Sequence, residues 1–159
     1  CDGASVLDPL RRHGAVLVRG PRDVERMDEA ARTLLGLHDF AAFCRRREGA
    51  TTVRTLLEHR WVRTVDGTIE GTVVADAFCH SMVRALVGSV VPVGEGRLGV
   101  GVPAAVLAAG VRDPRVRVMP AHGLSLEEVV YPPDHELASR AEVARSTRVL
   151  PPNGREGAP

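Results

Sequence analysis

A chain of 159 residues with 44% hydrophobic and 26% charged side chains can form one domain with a sizeable core and reads as globular. Its 21 basic and 20 acidic residues leave a formal charge of +1, so bulk charge makes no case for a nucleic-acid partner and only local clusters can. One Trp, one Tyr and three Phe are too few for a surface that stacks single-stranded bases.

The three cysteines, Cys1, Cys44 and Cys79, are odd in number and lack the close spacing of metal ligands. That argues against a disulfide scaffold or a structural zinc site and favours a reducing cytosol. There is no signal-peptide pattern and no apolar run near membrane-spanning length. The chain opens on Cys1 without an initiator methionine, so we expect a processed product or a piece of a longer protein.

Residues 1–20 read as an entry linker. Asp8-Pro9 marks a turn, Arg11-Arg12-His13 a basic cluster that reads as a solvated linker in preference to a phosphate contact, and residues 15–18 a short strand ended by Gly20-Pro21. A first helix is expected over 23–35, capped by Asp23 and closed by Gly36, with Met27, Ala30, Ala31, Leu34 and Leu35 inward. Next, a short helical turn would bury Phe40 and Phe43. His38-Asp39 has the residue types of a catalytic pair, but an Asp-capped turn beside a core phenylalanine is the preferred reading. Arg45-Arg46-Arg47 is the strongest local positive patch. It reads either as a solvated loop or as a phosphate-contacting row, with Arg54 close enough in sequence to join it.

A β-hairpin follows, with strands over 53–65 and 68–78 around Asp66-Gly67. A two-residue turn would pair Val65 with Thr68 and Arg63 with Glu70. The first strand alternates poorly, which a bulge, or a sheet partly covered on both sides, would explain. From the end of the strand at Phe78, a helix pattern runs to about residue 92. Met82, Val83, Leu86, Val87, Val90 and Val91 share one face; His80, Arg84 and Gly88 form a neighbouring stripe; Ser81, Ala85 and Ser89 are small enough for close approach. An arginine in so apolar a run needs an anion or several acceptors. Arg84 is therefore a candidate site residue, a structural ion pair, or a side chain snorkelling to the surface.

Residues 94–101 are glycine-rich but follow a helix and lack the order of a phosphate loop. A short helix is expected over 103–109, closed by Gly110. Residues 111–119 are irregular and basic, Pro120 to Leu124 forms a tight loop, and 124–131 reads as a last strand. A short helix is expected over 136–145 and a disordered tail from 146. The result is an α+β domain: an antiparallel sheet with helices packed mainly on one face, bounded at about 21–133, with 134–159 as short helix and tail.

Four stretches in order resemble the C-terminal half of the tRNA pseudouridine synthase A family. Phe78-Cys79-His80-Ser81-Met82-Val83-Arg84-Ala85-Leu86-Val87-Gly88 is similar to that family's Phe-Leu-(Tyr/Arg)-His-Met-Val-Arg-Asn-(Ile/Leu)-Val-Gly. Leu35-Gly36-Leu37-His38-Asp39-Phe40, Thr52-Val53-Arg54-Thr55, and Pro120-Ala121-His122-Gly123-Leu124-Ser125-Leu126 resemble three further motifs. The resemblance covers roughly residues 8–133, and the basic style of the chain points to an actinobacterial member. Ser81 and Ala85 stand where the family usually has His and Asn, and Cys79 where it has Leu. The family's catalytic aspartate and active-site tyrosine belong to N-terminal motifs that do not occur here.

The resemblance implies a cytoplasmic, homodimeric enzyme. It would isomerise uridine to pseudouridine in the anticodon stem and loop of tRNA (positions 38–40) without metal or organic cofactor. It implies that Arg84 pairs with the catalytic aspartate of a missing N-terminal half. Arg45, Arg46, Arg47, Arg54 and His80 would contact RNA, supported by His38, Asp39, Phe40, Ser81, Gly123, Leu124 and Leu126. The alternatives are a non-catalytic tRNA-binding or dimerisation domain and a purely structural domain.

Overall fold

The computed structural model describes residues 20–45, 47, 49–129, 133 and 135. The expected strand at 15–18, the helix at 136–145, the tail and Arg46 lie outside them. In chain order come α1 (Val24–Arg32), β1 (Gly36–Asp39), β2 (Val53–Arg63), β3 (Ile69–Ala75), α2 (Met82–Gly94), α3 (Val102–Ala109) and a 3-10 turn, Ala121–Gly123. The three strands form an antiparallel sheet in the order β1-β2-β3. Helices cover the face carrying Leu56, His59 and Trp61, while Arg60, Val62, Glu70 and Thr72 face outward. This is the expected α+β architecture.

Asp23 caps α1 by accepting from the Arg26 amide at 3.0 Å. Glu25 in the first turn and Arg32 in the last oppose the helix dipole favourably. Met27, Ala30, Ala31 and Leu34 are buried as expected, but Leu35 is exposed. The helix stops at Arg32, where the Thr33 hydroxyl donates to the Ala30 carbonyl at 2.6 Å. Gly36, at φ +104°, opens β1 instead of closing the helix. The backbone of residues 36–39 is taken by β2, with Gly36 opposite Leu56 and Asp39 opposite Val53. Strand pairing has overridden the local helical pattern. Phe40 and Phe43 are fully buried by the expected turn, closed by the Phe43 amide on the Phe40 carbonyl at 2.9 Å.

The hairpin has the expected strands in a register one residue away. Arg63 lies opposite Ile69, and Val62 opposite Glu70. The cause is the turn. Its loop is Val65-Asp66-Gly67, with the Thr64 amide on the Thr68 carbonyl and the Gly67 amide on the Thr64 carbonyl, both at 2.9 Å. Gly67 takes the left-handed conformation that such three-residue loops require. Arg63 consequently bonds the Arg22 and Gly67 carbonyls, not Glu70. The expected bulge lies between Leu56 and Glu58. It turns Leu57 to solvent and sets His59 and Trp61 inward. Gly71, opposite Trp61, leaves room for the indole: a Cβ there would sit 2.8 Å from the ring.

α2 starts at Met82, later than expected, after Ser81 at φ +70°, and runs through Pro92 to Gly94. Its buried face is rotated toward the small residues: Met82, Ala85, Leu86, Gly88, Ser89, Val90 and Val93 are buried. Val83, Val87 and Val91 are only partly covered. α3 matches expectation, with Pro103 in its first turn and Gly110 closing it at φ +66°. Residues 124–129 form no strand. Neither described sheet edge takes up their backbone, and Leu124, Leu126 and Val129 are exposed.

Cys44 and Cys79 meet as a disulfide, Cα to Cα 5.8 Å. The sequence argued against a disulfide scaffold, and the structure joins one pair of the three cysteines. Spacing gave no sign of the pair, because 35 residues of chain separate partners that the hairpin brings back together.

Candidate functional site

Arg84 lies in the first turn of α2, half-buried. Its Nε donates to the Met119 carbonyl at 2.5 Å, and its own carbonyl accepts from the Met119 amide at 3.1 Å. Residues 116–119 therefore run against the helix. Gly88 makes that possible: a Cβ there would stand 1.6 Å from the Arg117 carbonyl oxygen. With Nε committed, the guanidinium retains its terminal nitrogens for a planar anion. Among the described residues no carboxylate forms an ion pair with Arg84.

The start of α2 joins the arginine loop. The Arg45 amide donates to the His80 carbonyl at 2.9 Å, and His80 Nδ1 lies 3.0 Å from the Ser81 hydroxyl. Arg45, Arg47 and His80 are exposed. The neck of this loop is fastened by Asp39. Its Oδ1 accepts from the Ala41 amide at 3.0 Å and from the Thr52 hydroxyl at 2.5 Å, while the Phe40 amide donates to the Thr52 carbonyl at 3.0 Å. Asp39 is thus the cap of a turn, as preferred from the sequence. His38 contacts the Leu35 carbonyl at 2.8 Å and stands edge-on to Phe40, so the two do not form a catalytic pair. Arg54 sits on β2 across from His38 and donates to the Val53 carbonyl at 2.7 Å.

Gly123 and Leu124 follow Met119 through the 3-10 turn, where the Leu124 amide bonds the Ala121 carbonyl at 3.0 Å. Leu124 and Leu126 are exposed. Ser81 caps α2 with no side-chain hydrogen bond to the helix. Ala85 is buried against the core, and lines a cavity of about 320 Å³ with Ala42, Arg112, Asp113, Pro114, Val116 and Val118. Arg115 grips Asp113 with Nε at 2.9 Å and Nη2 at 2.7 Å. These hydrogen bonds hold the Asp113 carboxyl at about 2. Among the described residues no cluster of three or more His, Cys, Asp or Glu is placed to hold a metal ion. No described helix is long and apolar enough to cross a membrane.

Two features had little sequence signal. The Met119 contact is made by a backbone carbonyl, which any residue type supplies; only Gly88 hinted that something passes close. His59 is buried at 1% exposure, and its Nε2 accepts from the Trp61 indole at 3.2 Å. Burial lowers its pKa to about 4 against a smaller opposing effect of Asp28. Its position two residues before Trp61 on a strand puts both on one face without showing how deeply His59 is buried.

The fold and site define an α+β unit that presents a half-buried arginine beside a basic loop. A family model described as tRNA pseudouridine synthase matches residues 30–132. The tRNA pseudouridine synthase A of Frankia casuarinae is 60% identical over 148 residues, covering 92% of this chain and 54% of that protein. That of Streptomyces avermitilis is 54% identical over 153 residues, covering 96% and 54%. That of Leifsonia xyli is 51% identical over 149 residues, covering 94% and 52%. The chain belongs to the tRNA pseudouridine synthase family, and it spans about half the length of the curated relatives it matches.

Proposed function

We propose that this chain is the C-terminal half of a tRNA pseudouridine synthase, inactive until joined to an N-terminal half that carries the catalytic aspartate. The observation that carries this is the coverage: 92% of the chain aligns with only 54% of a relative that is 60% identical. Residues 21–133 form the domain, flanked by residues 1–20 as entry segment and by residues 134–159. The substrate is tRNA, modified in its anticodon stem and loop, and the joined protein is a cytosolic homodimer that needs no cofactor.

In this reading the C1′–N1 bond of uridine breaks and the base reattaches through C5. The aspartate acts either as nucleophile or as the base that starts glycal formation. Arg84 lowers its pKa and fixes its direction through the guanidinium fork. The target base must leave the stack, at a cost of a few kcal/mol. Arg45, Arg46, Arg47, Arg54 and His80 grip the backbone and position the RNA without reading its sequence. Asp39 supports by holding the neck of the arginine loop, with His38 and Phe40 packed beside it. Ser81 starts the arginine helix, and Gly123, Leu124 and Leu126 continue the segment that Met119 anchors to Arg84.

The test is pseudouridine formation on a tRNA transcript. The isolated chain is expected to give none, and the chain fused behind an N-terminal half from a close relative is expected to give product. Turnover by the isolated chain, or a folded fusion with none, would overturn the proposal.

A further inference from the structure

Cys44 and Cys79 belong to no part of the site described above, yet each directly precedes one of its residues, Arg45 and His80. Cys44 ends the Phe40–Phe43 turn immediately before Arg45. Cys79 immediately precedes His80 and the start of α2. Their Cα separation of 5.8 Å lies at the usual disulfide spacing, so the backbone needs no rearrangement to form the bond. The neighbouring residues are already tied by the Arg45 amide on the His80 carbonyl at 2.9 Å. The two sulfurs differ in access: Cys44 is 2% exposed, whereas Cys79 is only partly buried. We propose that Cys44 and Cys79 are a reversible dithiol–disulfide couple that fastens the arginine loop to the start of α2.

The chemistry is thiol–disulfide exchange with a small disulfide oxidant such as oxidised glutathione. The more accessible Cys79 thiolate attacks one glutathione sulfur. The oxidant's S–S bond breaks, a mixed disulfide forms on Cys79, and one glutathione thiolate leaves. Cys44, held at bonding distance, then attacks the Cys79 sulfur and expels the second glutathione. Two cysteines lose two electrons, one glutathione disulfide gains them, and the two thiol protons end on the two glutathiones. Excess reduced glutathione runs the steps backward. Exposure assigns Cys79 as the attacking thiol and Cys44 as the resolving one.

The experiment equilibrates the full chain, carrying Cys1→Ser to remove the third thiol, in glutathione buffers from fully reduced to fully oxidised. Free thiols are then alkylated, the chain is unfolded and digested with trypsin, and the peptides are weighed. Cleavage at Arg32, Arg45, Arg63 and Arg84 puts Cys44 in peptide 33–45 and Cys79 in peptide 64–84. The expected result is a cross-linked 33–45/64–84 pair that grows with the oxidised fraction and vanishes on return to reduced buffer. The oxidised form is expected to melt several degrees higher. Cys44→Ala should accumulate a glutathione adduct on Cys79, and Cys79→Ala should leave Cys44 unmodified while folded. Melting curves of both variants confirm that each retains its fold, and Cys44→Ser serves if Cys44→Ala does not. Full alkylation of both cysteines in every buffer would overturn the proposal. So would a cross-link that persists in fully reduced buffer, or an adduct on Cys44 in folded Cys79→Ala.

Discussion

Arg84 and Met119 are bonded to each other twice, side chain to carbonyl at 2.5 Å and carbonyl to amide at 3.1 Å. The double contact fixes the guanidinium against a stretch of backbone, so its direction does not depend on a neighbouring side chain. It depends on Gly88, one turn further along α2, because the Arg117 carbonyl occupies the space where a side chain would begin. Gly88→Ala must push residues 116–119 off the helix. We expect a loss of about 1–3 kcal/mol, the usual cost of overpacking, read as a lower urea midpoint. Exchange of the Met119 amide should quicken in the same variant, and an unchanged Met119 amide would contradict this packing.

His59 predicts an acid-sensitive fold. Its pKa is about 4 in the folded chain and about 6.5 unfolded, chiefly because burial penalises the charged ring. Between these values the unfolded chain binds more protons than the folded one, so stability rises with pH there and is lost as pH falls from about 6.5 to 4. The slope is about 1.4 kcal/mol per pH unit, and the whole loss is about 3 kcal/mol. Urea midpoints at a series of pH values should show this limb. In His59→Gln, which keeps an acceptor for the Trp61 indole, the limb should flatten.

Asp39 holds two partners on opposite sides of the arginine loop. Asp39→Ala leaves the Ala41 amide and the Thr52 hydroxyl without that acceptor. The expected cost is about 1–2 kcal/mol in thermal or urea unfolding. The faster motion should be confined to residues 41–52 in hydrogen exchange.

Replacing Arg45 and Arg47 with Gln should weaken tRNA binding by the chain without lowering its melting temperature, because both side chains are exposed. The slope of log affinity against log salt should fall by about 1–2, close to one for each phosphate that is no longer neutralised. A slope unchanged by both substitutions would mean that the loop is merely solvated.

Much of this fold was legible because local and tertiary signals agreed. Asp23 marked a helix start through its capping carboxylate and Gly110 a helix end through its left-handed backbone, and the Phe40–Phe43 spacing announced a buried turn. Where the two signals conflicted, pairing prevailed. Residues 36–39 carry no alternation, yet β2 recruits them as a strand. Asp66-Gly67 is a strong turn signal that does not reveal whether the loop has two residues or three, and that single residue moved every cross-strand pair. Residues 124–129 have strand-like composition, but a strand exists only where an edge accepts it. At the site, Arg84 stood out as a charge in an apolar run. Its anchor did not, since a carbonyl leaves no trace in sequence, and neither did the meeting of Cys44 with Cys79.

The most direct measurement is pseudouridine formation by the joined two-half protein with Arg84 intact and with Arg84→Ala, at matched folded fractions. The loss of a fork that orients and ionises the catalytic carboxylate should lower the rate by about a hundredfold or more, while tRNA affinity changes little. Full activity in Arg84→Ala would contradict the pairing of Arg84 with the catalytic aspartate.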